Sequence, residues 1–364
     1  MVYFLNAPLP HLPTGNLVKS IAIIGLRSLA LPSLLIALCS PIKDVSAFEP
    51  VHAGGSNLAW YDISESLRPA PDTGRNCREP FGILANYDDK QVRKKVRTQL
   101  RAMYQQGQRR LRIPVFHMRD SSTGKTILDS RGGEIGSSDA KKLQRLLTDI
   151  RKAGFEWIEV GFFPAGENVP FKWKQWHEDI YEENWQFIKS VRKIVIDSGL
   201  PYQLDLMNEG APASNQPMMK QYVFRLWDRY VRYYGSEDTI GFSIGAANID
   251  RYNNMVSQMH RTGRGLPPHW SIHIYDHMFQ GHLQKLDKHM VDNGDNRAWD
   301  IGETYYNDAR VDALFDAVQL TRDVLHILQW PVTSQRGCDG HVDTVPTVAY
   351  PYAPDRALDI SQSE

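Results

Sequence analysis

The stretch that decides the fold reads RRLRIPVFH at residues 109–117, SDAKKLQRLLTDIRKAG at 138–154 and FEWIEVGFF at 155–163. In the middle segment apolar residues recur three or four positions apart, as at Leu143 and Leu147, which predicts a helix with one buried face. The two flanking segments are nearly continuous apolar runs, which is typical of parallel strands covered on both faces. The stretch therefore predicts a strand, a helix and a second strand parallel to the first.

The same alternation extends along the chain as far as Trp330. The further strand-like segments are GGSNLAWYD (54–62), YQLDLMNEG (202–210), TIGFSIGAAN (239–248), HWSIHIYD (269–276), WDIGETYY (299–306) and VLHILQW (324–330). The further helical stretches are 88–106, 182–199, 216–235, 250–261, 281–293 and 308–320. This alternation predicts an α/β fold, a (β/α)8 TIM barrel in a single catalytic domain. A doubly wound nucleotide-binding sheet is the alternative, but no GxGxxG turn follows the first strand.

The composition of the chain narrows the classes of function. Its 364 residues carry 42 Lys and Arg against 42 Asp and Glu, so the formal net charge is zero. A nucleic-acid-binding module needs a basic excess to neutralise phosphates, so nucleic acid is not an expected partner. Nine Trp, 16 Tyr and 13 Phe supply flat amphipathic rings, which suit a large core or a cleft that stacks on apolar faces of ligands.

Residues 1–47 have the layout of a secretory signal peptide. Basic residues precede an apolar run at 28–39, and small residues follow it at 45–47. The run is shorter than the roughly 20 apolar residues that span a bilayer. We therefore expect a secreted or periplasmic protein, with an uncleaved signal anchor, and hence a membrane tether, as the alternative. The barrel domain is then expected at 48–340, followed by a C-terminal tail at 341–364 that packs on the barrel or frays from it.

Two glutamates close strand-like segments at the expected mouth of the barrel. Glu209 ends the fourth segment and Glu303 lies at the end of the seventh. A pair of carboxylates across a cleft is what cleavage of a glycosidic bond requires, one protonated and the other ionised. Arg112 beside Glu303 is expected to lower the pKa of that carboxyl, whereas a less polar setting is expected to raise the pKa of Glu209. A pair of purely structural carboxylates is the alternative.

Several strand-end motifs together resemble clan A of the glycoside hydrolases, and most of all its cellulase-type family 5 branch. The motifs are LRIPV at 111–115, Asn208-Glu209, His273-x-Tyr275, Gly302-Glu303 and Trp330. Their order along about 54–335 matches that family over most of the chain. The resemblance implies a retaining double displacement, with Glu209 as general acid/base and Glu303 as nucleophile.

The same resemblance implies roles for the neighbouring residues. It implies that Asn208 binds the sugar 2-hydroxyl and that Tyr275 and Arg112 hydrogen-bond the nucleophile. It further implies that His273 lies beside the acid/base and that Trp330 forms the platform under the sugar. The implied protein is an exported, metal-independent glycosidase that acts, as a monomer, on a β-linked poly- or oligosaccharide.

Three more tryptophans and two cysteines are candidates for roles around the cleft. Trp60 ends the first strand-like segment, and Trp173 and Trp176 lie in the loop after the third, so all three are candidates for sugar stacking. Cys77 and Cys338 follow the first and last strand segments, which are neighbours in a closed barrel. We expect them to lie on one face, where a disulfide or two free thiols are the alternatives.

No cofactor and no metal ion are expected. Four histidines at 269, 273, 277 and 282 suggest a zinc site, but their spacing crosses a strand, a loop and a helix start, and no Cys or carboxylate completes a familiar pattern. Glu159 lies inside a strand-like segment rather than at its end and is expected to be a buried ion-pair partner.

Two other functions use the same residues or the same fold. A non-catalytic glycan-binding or scaffold protein of a cell-envelope polysaccharide system is one alternative, and the presence of both glutamates argues against it. A transglycosylase is the other, since it differs only in whether water or a sugar hydroxyl accepts the glycosyl unit. The neutral net charge favours an uncharged or weakly charged glycan in every case.

Overall fold

The computed structural model describes residues 54–62, 81–120, 126–274, 281–305 and 321–330. Several predictions concern residues outside these ranges: the signal segment 1–47, the helix at 308–320, the tail at 341–364, Tyr275, Cys77 and Cys338. Within the described ranges, no helix combines the length and the apolar character that a membrane span requires.

The strands of the central sheet run parallel and are numbered β1 to β8 in chain order. Their bounds are β1 Gly55–Asn57, β2 Arg110–Met118, β3 Trp157–Pro164, β4 Tyr202–Asp205, β5 Thr239–Gly241 with Ile244–Gly245, β6 Trp270–His273, β7 Trp299–Tyr305 and β8 Val324–Trp330. Each strand pairs with the strands that precede and follow it in the chain. The predicted order of the strand-like segments is confirmed.

Two pairings close this sheet into a barrel. β5 is an interrupted strand, in which Thr239–Gly241 pairs with β4 and Ile244–Gly245 pairs with β6. β1 pairs with β8, with Gly55 opposite Leu328. The strand order therefore returns on itself, and the predicted (β/α)8 barrel is confirmed.

Helices α1 to α6 follow β1 to β6 along the chain. Their bounds are α1 Lys90–Gln105, α2 Ser137–Ala153, α3 Glu178–Asp197, α4 Pro217–Tyr234, α5 Ile249–Arg261 and α6 His282–Asp292. Each helix buries an apolar stripe, as α2 does with Leu143, Leu147 and Ile150. α3 begins four residues before its predicted start, because Ile180 and Tyr181 extend its buried face.

The chain leaves the barrel directly after β1. The backbone N–H of Ile83 donates a 2.9 Å hydrogen bond to the carbonyl of Ala59. Trp60–Asp62 and Phe81–Gly82 then form a separate antiparallel pair. The prediction that Trp60 ends the first barrel strand is therefore wrong, since β1 ends at Asn57.

The inside of the barrel carries charged side chains as well as the expected apolar ones. Fully buried charged residues stand on four different strands: Arg112 on β2, Glu159 on β3, Asp205 on β4 and Asp300 on β7. Buried charges are tolerated when they are paired, so these residues must compensate one another inside the barrel. This polar interior leads to the carboxyl ends of the strands, where the predicted site lies.

Candidate active site

Arg112 is the centre of the polar interior. Its Nη1 donates to Oε1 of Glu303 at 2.5 Å, its Nη2 donates to Oδ2 of Asp205 at 2.7 Å, and its Nε donates to Oε1 of Glu159. Burial alone lowers the pKa of Arg112, but the three carboxylates outweigh burial and raise it well above its ordinary value. Arg112 therefore stays charged and orients Glu303. The prediction that Glu159 is a buried ion-pair partner is confirmed.

The guanidinium has room because one neighbouring position lacks a side chain. A Cβ placed on Gly161 of β3 would lie 2.7 Å from Nη2 of Arg112. Asn57, at the end of β1, supplies a further acceptor, since its Oδ1 lies 3.2 Å from Nη1 of Arg112. The amide of Asn57 in turn donates to the carbonyl of Gly302 at 2.9 Å, which ties β1 to the residue before Glu303.

The two predicted catalytic carboxylates lie close together, with one histidine between them. Nδ1 of the buried His273 is 3.5 Å from Oε1 of Glu209 and 3.6 Å from Oε2 of Glu303. One oxygen of each carboxylate and one nitrogen of His273 all lie within 4.8 Å of one another. The structure thus brings Glu209, Glu303 and His273 into a single group at the mouth of the barrel.

The charges of this group determine its protonation. Burial and the charge of Arg112 lower the pKa of His273, but Glu303 and Glu209 raise it more, so the pKa of the imidazole lies above its ordinary value. Burial raises the pKa of Glu209, yet the contact with His273 and the charges of Arg251 and Arg112 lower it below its ordinary value. The prediction of a raised pKa for Glu209 is therefore wrong. The cause is the imidazole of His273 on β6, and the motifs at the strand ends do not show how close it lies to Glu209.

Glu209 is held in an uncommon backbone conformation. Its φ is +47°, in the left-handed region that residues other than glycine seldom adopt. Its backbone N–H donates to Oγ of Ser243 at 2.7 Å, and that hydroxyl donates to Oδ2 of Asp205 at 2.7 Å. Asp205 thus supports both Arg112 and the turn that carries Glu209. A Cβ on Gly245 would lie 2.9 Å from Cδ of Glu209, so the glycine also gives the carboxyl its space.

Asn208 has one end of its amide already engaged. Its Oδ1 accepts a 2.8 Å hydrogen bond from Nη2 of Arg112, and its backbone N–H donates to the carbonyl of Phe162 at 2.8 Å. Because the amide oxygen faces Arg112, the Nδ2 group is the end that is directed away from the guanidinium. Asn208 can therefore donate a hydrogen bond to a hydroxyl group of a ligand.

A cavity of about 380 Å³ opens beside Glu209. Its lining includes Phe116, Phe163, Met207, Asn208, Gln216 and Arg251. The rings of Phe116 and Phe163 have centroids 4.7 Å apart, and Phe163 stacks on Trp330 at 6.1 Å with 27° between the ring planes. The half-buried Trp330 ends β8, so the predicted platform residue is part of an aromatic row at the carboxyl ends of β2, β3 and β8.

The other predicted aromatic residues have different surroundings. Trp173 is only 9% exposed and packs edge-to-face on Trp176 and Tyr222, while its Nε1 donates to the carbonyl of Glu167. These neighbours cover most of its ring surface, although Trp173 also lines a cavity with Lys172 and His177, and its role in sugar stacking stays a prediction. Trp176 is half-buried, with the guanidinium of Arg225 4.7 Å from its ring centroid, and its role in stacking stays a prediction. The side chain of Trp60 lies outside the described atoms, as Tyr275 does.

Several site residues were not predicted from the sequence. Phe116 and Phe163 sit inside apolar strand runs, where an aromatic residue fits a core equally well. Asp205 is the last residue of β4, and its position at the end of a strand is the sequence feature that could have identified it as a site residue. Ser243 lies in the interruption of β5 and Arg251 in the first turn of α5, and neither belongs to a motif.

Comparisons with known proteins give matches among structures only. No family model matches the chain, and no curated protein sequence matches it. The chain is similar to an exo-β-1,4-mannosidase from Opitutaceae bacterium strain TAV5, with a TM-score of 0.49 and 11% identity over 86% of this chain and 59% of that chain. It is also similar to a GH5-4 broad specificity endoglucanase from Clostridium acetobutylicum, with a TM-score of 0.46 and 12% identity over 80% and 91% of the two chains. An endo-1,4-β-mannanase from Rhizomucor miehei matches with a TM-score of 0.46 and 14% identity over 77% and 96%. The assignment of the barrel rests on the strand pairing alone.

Proposed function

We propose that this protein is a retaining glycoside hydrolase that cleaves a β-linked glycan, with Glu303 as nucleophile and Glu209 as general acid/base. The observation that carries the proposal is the short separation of the two carboxylates, whose oxygens come within 4.8 Å of each other. Retaining enzymes hold their carboxyl groups about 5–5.5 Å apart, whereas inverting enzymes leave about 6.5–9.5 Å for a water molecule. The separation supports retention.

In the first step an oxygen of Glu303 attacks the anomeric carbon, and the bond from that carbon to the leaving oxygen breaks. Glu209 gives its proton to the leaving oxygen, and a glycosyl ester of Glu303 remains. Arg112, which donates to Oε1 of Glu303, orients the carboxylate for the attack. Asn208 donates from Nδ2 to the neighbouring hydroxyl as positive charge develops on the sugar.

In the second step the ionised Glu209 takes a proton from water, and the water oxygen attacks the anomeric carbon. The ester bond to Glu303 breaks, the product keeps the β configuration, and both carboxyl groups return to their starting states. His273 contacts both glutamates, so its positive charge stabilises whichever of them is ionised. The site therefore uses one cation for both halves of the reaction.

The surroundings of the two glutamates support a weakly charged sugar substrate. Phe116, Phe163 and Trp330 supply apolar ring surface near Glu209 and Glu303, and such surface suits the apolar face of a pyranose ring. The zero formal charge of the chain agrees with an uncharged glycan. Because residues 1–47 resemble a signal peptide, we propose that the enzyme acts outside the cytoplasm.

The experiment combines stereochemistry with substitution. Purified protein is screened on a panel of β-glycans, and proton NMR follows the anomeric signal of the first product formed. We expect a β product, no turnover by Glu303→Gln, and partial rescue of Glu209→Ala by azide on an activated aryl glycoside. Glu156→Gln, an exposed glutamate before β3 at the opposite end of the barrel, is the matched control. A first-formed α product, or full activity in Glu303→Gln, contradicts the proposal.

A further inference from the structure

A second group of ionisable side chains lies inside the barrel, apart from Glu209 and His273. Glu159 of β3, Asp300 of β7 and His326 of β8 each offer one ligand atom, and these atoms all lie within 4.8 Å of one another. All three residues are buried. His269, the residue before β6, contacts Oδ2 of Asp300 through its Nε2, while Nδ1 of His326 lies 3.0 Å from Oδ1 of Asp300.

Two polar atoms of this group have no hydrogen-bond partner in the described part of the chain. Oε2 of Glu159 and Nε2 of His326 are buried without a partner among the described residues, whereas the oxygens of Asp300 contact His269 and His326. Buried polar atoms are rarely left without a partner, because each one loses its water and gains nothing in return. Two such atoms beside the carboxylate of Asp300 indicate a shared ligand.

The charges of the side chains around this group indicate that the ligand is a cation. Five carboxylates lie in the barrel interior and at its mouth: Glu159, Asp205, Asp300, Glu209 and Glu303. The guanidinium groups that face them are those of Arg110, Arg112 and Arg251. The carboxylates therefore outnumber the guanidinium groups, which favours a cation as the shared ligand.

We propose that Glu159, Asp300 and His326 bind one divalent transition-metal ion of the zinc type inside the barrel. One imidazole and two carboxylates form a mixed nitrogen and oxygen donor set that suits Zn²⁺, whereas Mg²⁺ and Ca²⁺ prefer oxygen ligands alone. His269 supports the site through its contact with Asp300. The expected absence of a metal was based on a different histidine set, which does not include His326. Arg110 and Trp157, both half-buried on β2 and β3, mark the amino-terminal end of the barrel from which an ion could enter.

The site connects to the catalytic group through one residue. Glu159 accepts from Nε of Arg112 with Oε1, and its Oε2 is the atom left for the ion. Arg112 in turn donates to Glu303. A cation on Glu159 takes up part of the negative charge that Arg112 otherwise compensates, so Arg112 interacts more strongly with Glu303 and Asp205. The ion is structural in this arrangement and does not contact the substrate.

Metal content tests the site without reference to catalysis. Purified protein is incubated with Zn²⁺, desalted and analysed by inductively coupled plasma mass spectrometry, and Co²⁺ is added in parallel to read coordination from its visible absorption. We expect about one equivalent of Zn²⁺ per chain, and an affinity at least about tenfold lower in Asp300→Asn and His326→Gln. Glu303→Gln is the matched control, expected to lose hydrolysis and to keep the ion, which separates this proposal from the proposed function.

Three outcomes overturn the proposal. One is folded wild-type protein that retains no stoichiometric Zn²⁺ and gives no Co²⁺ spectrum, which means that protons on Glu159 and the histidines balance the charge instead. Another is loss of the ion in Glu303→Gln with retention in Asp300→Asn, which assigns binding to the group at the barrel mouth. The third is a Co²⁺ spectrum typical of all-oxygen octahedral coordination. If the Asp300→Asn variant fails to fold, the Co²⁺ spectrum of the wild type and the metal content of His326→Gln are used to test the proposal.

Discussion

Arg112 and Glu303 stand 191 positions apart in the chain, yet Nη1 of the arginine lies 2.5 Å from Oε1 of the glutamate. The closed order of the barrel makes this contact possible, because β1 lies between β2 and β8, and β8 lies next to β7. The same guanidinium holds Asp205, which supports the turn of Glu209 through Ser243. One buried cation therefore positions both carboxylates to which we assign the catalytic roles.

Replacing Arg112 tests this arrangement. In Arg112→Lys the charge remains, but the several parallel donors of the guanidinium are lost. We expect kcat/KM to fall by about 10²- to 10³-fold while circular dichroism stays unchanged. Arg112→Met removes the charge as well and should lower the free energy of unfolding by about 3–5 kcal/mol, measured by urea denaturation. Arg93→Lys on the outer helix α1 is the control; equal losses in both lysine variants reject a special role for Arg112.

The charge of His273 predicts an acid-shifted pH profile. If Glu209 is the general acid, as proposed, the basic limb of kcat/KM reports the loss of its proton in the free enzyme, and His273 lowers the pKa of Glu209. In His273→Gln the pKa of Glu209 should rise, so the basic limb should move to higher pH. His260→Gln, on the exposed side of α5, should leave the profile in place. A basic limb that stays fixed or moves to lower pH in His273→Gln argues against this coupling.

We expect Gly245→Ala to lower activity while the free energy of unfolding changes little. Its φ is not in the left-handed region, so alanine fits the backbone, but the added Cβ meets the carboxyl carbon of Glu209 at 2.9 Å. The half-exposed carboxyl can move away, and a displacement of about 1 Å is expected to lower kcat by roughly 10²-fold. Gly136→Ala, which meets no atom within 4 Å, is the matched control. Unchanged kcat in Gly245→Ala means that the position of Glu209 is not limiting.

The raised pKa of Glu159 predicts that stability depends on pH when a chelator keeps the protein free of metal. Burial raises the pKa of Glu159 from its ordinary value of 4.5 to about 7. Between these values the folded protein keeps a proton that the unfolded chain releases, so the contribution of Glu159 to stability is present below pH 4.5 and is lost as pH rises to about 7. Urea denaturation across this range should show a difference between wild type and Glu159→Gln that changes by about 1 kcal/mol per pH unit. A constant difference contradicts the shift.

Much of the barrel and part of the site could be predicted from the sequence. Apolar runs alternating with helical stripes identify the strands, and a parallel barrel then places strand-end residues such as Glu209 and Glu303 at one mouth. The pKa of Glu209 could not be predicted, because it depends on the distance to His273 on another strand. Trp173 could not be placed either, since its burial depends on how a loop packs against Tyr222 of α4. Phe163 gives no separate signal, because a catalytic-face phenylalanine and a core phenylalanine look alike within an apolar strand.

The identity of the nucleophile is the central claim, and covalent trapping tests it most directly. The protein is incubated with a panel of 2-deoxy-2-fluoro β-glycosides that carry an activated leaving group, and intact mass is followed by peptide mapping. We predict a gain of one fluoroglycosyl unit per chain, located on the peptide that contains Glu303, with no adduct in Glu303→Gln. An active enzyme that forms no adduct with a substrate analogue it recognises, or an adduct on any residue other than Glu303, contradicts the account.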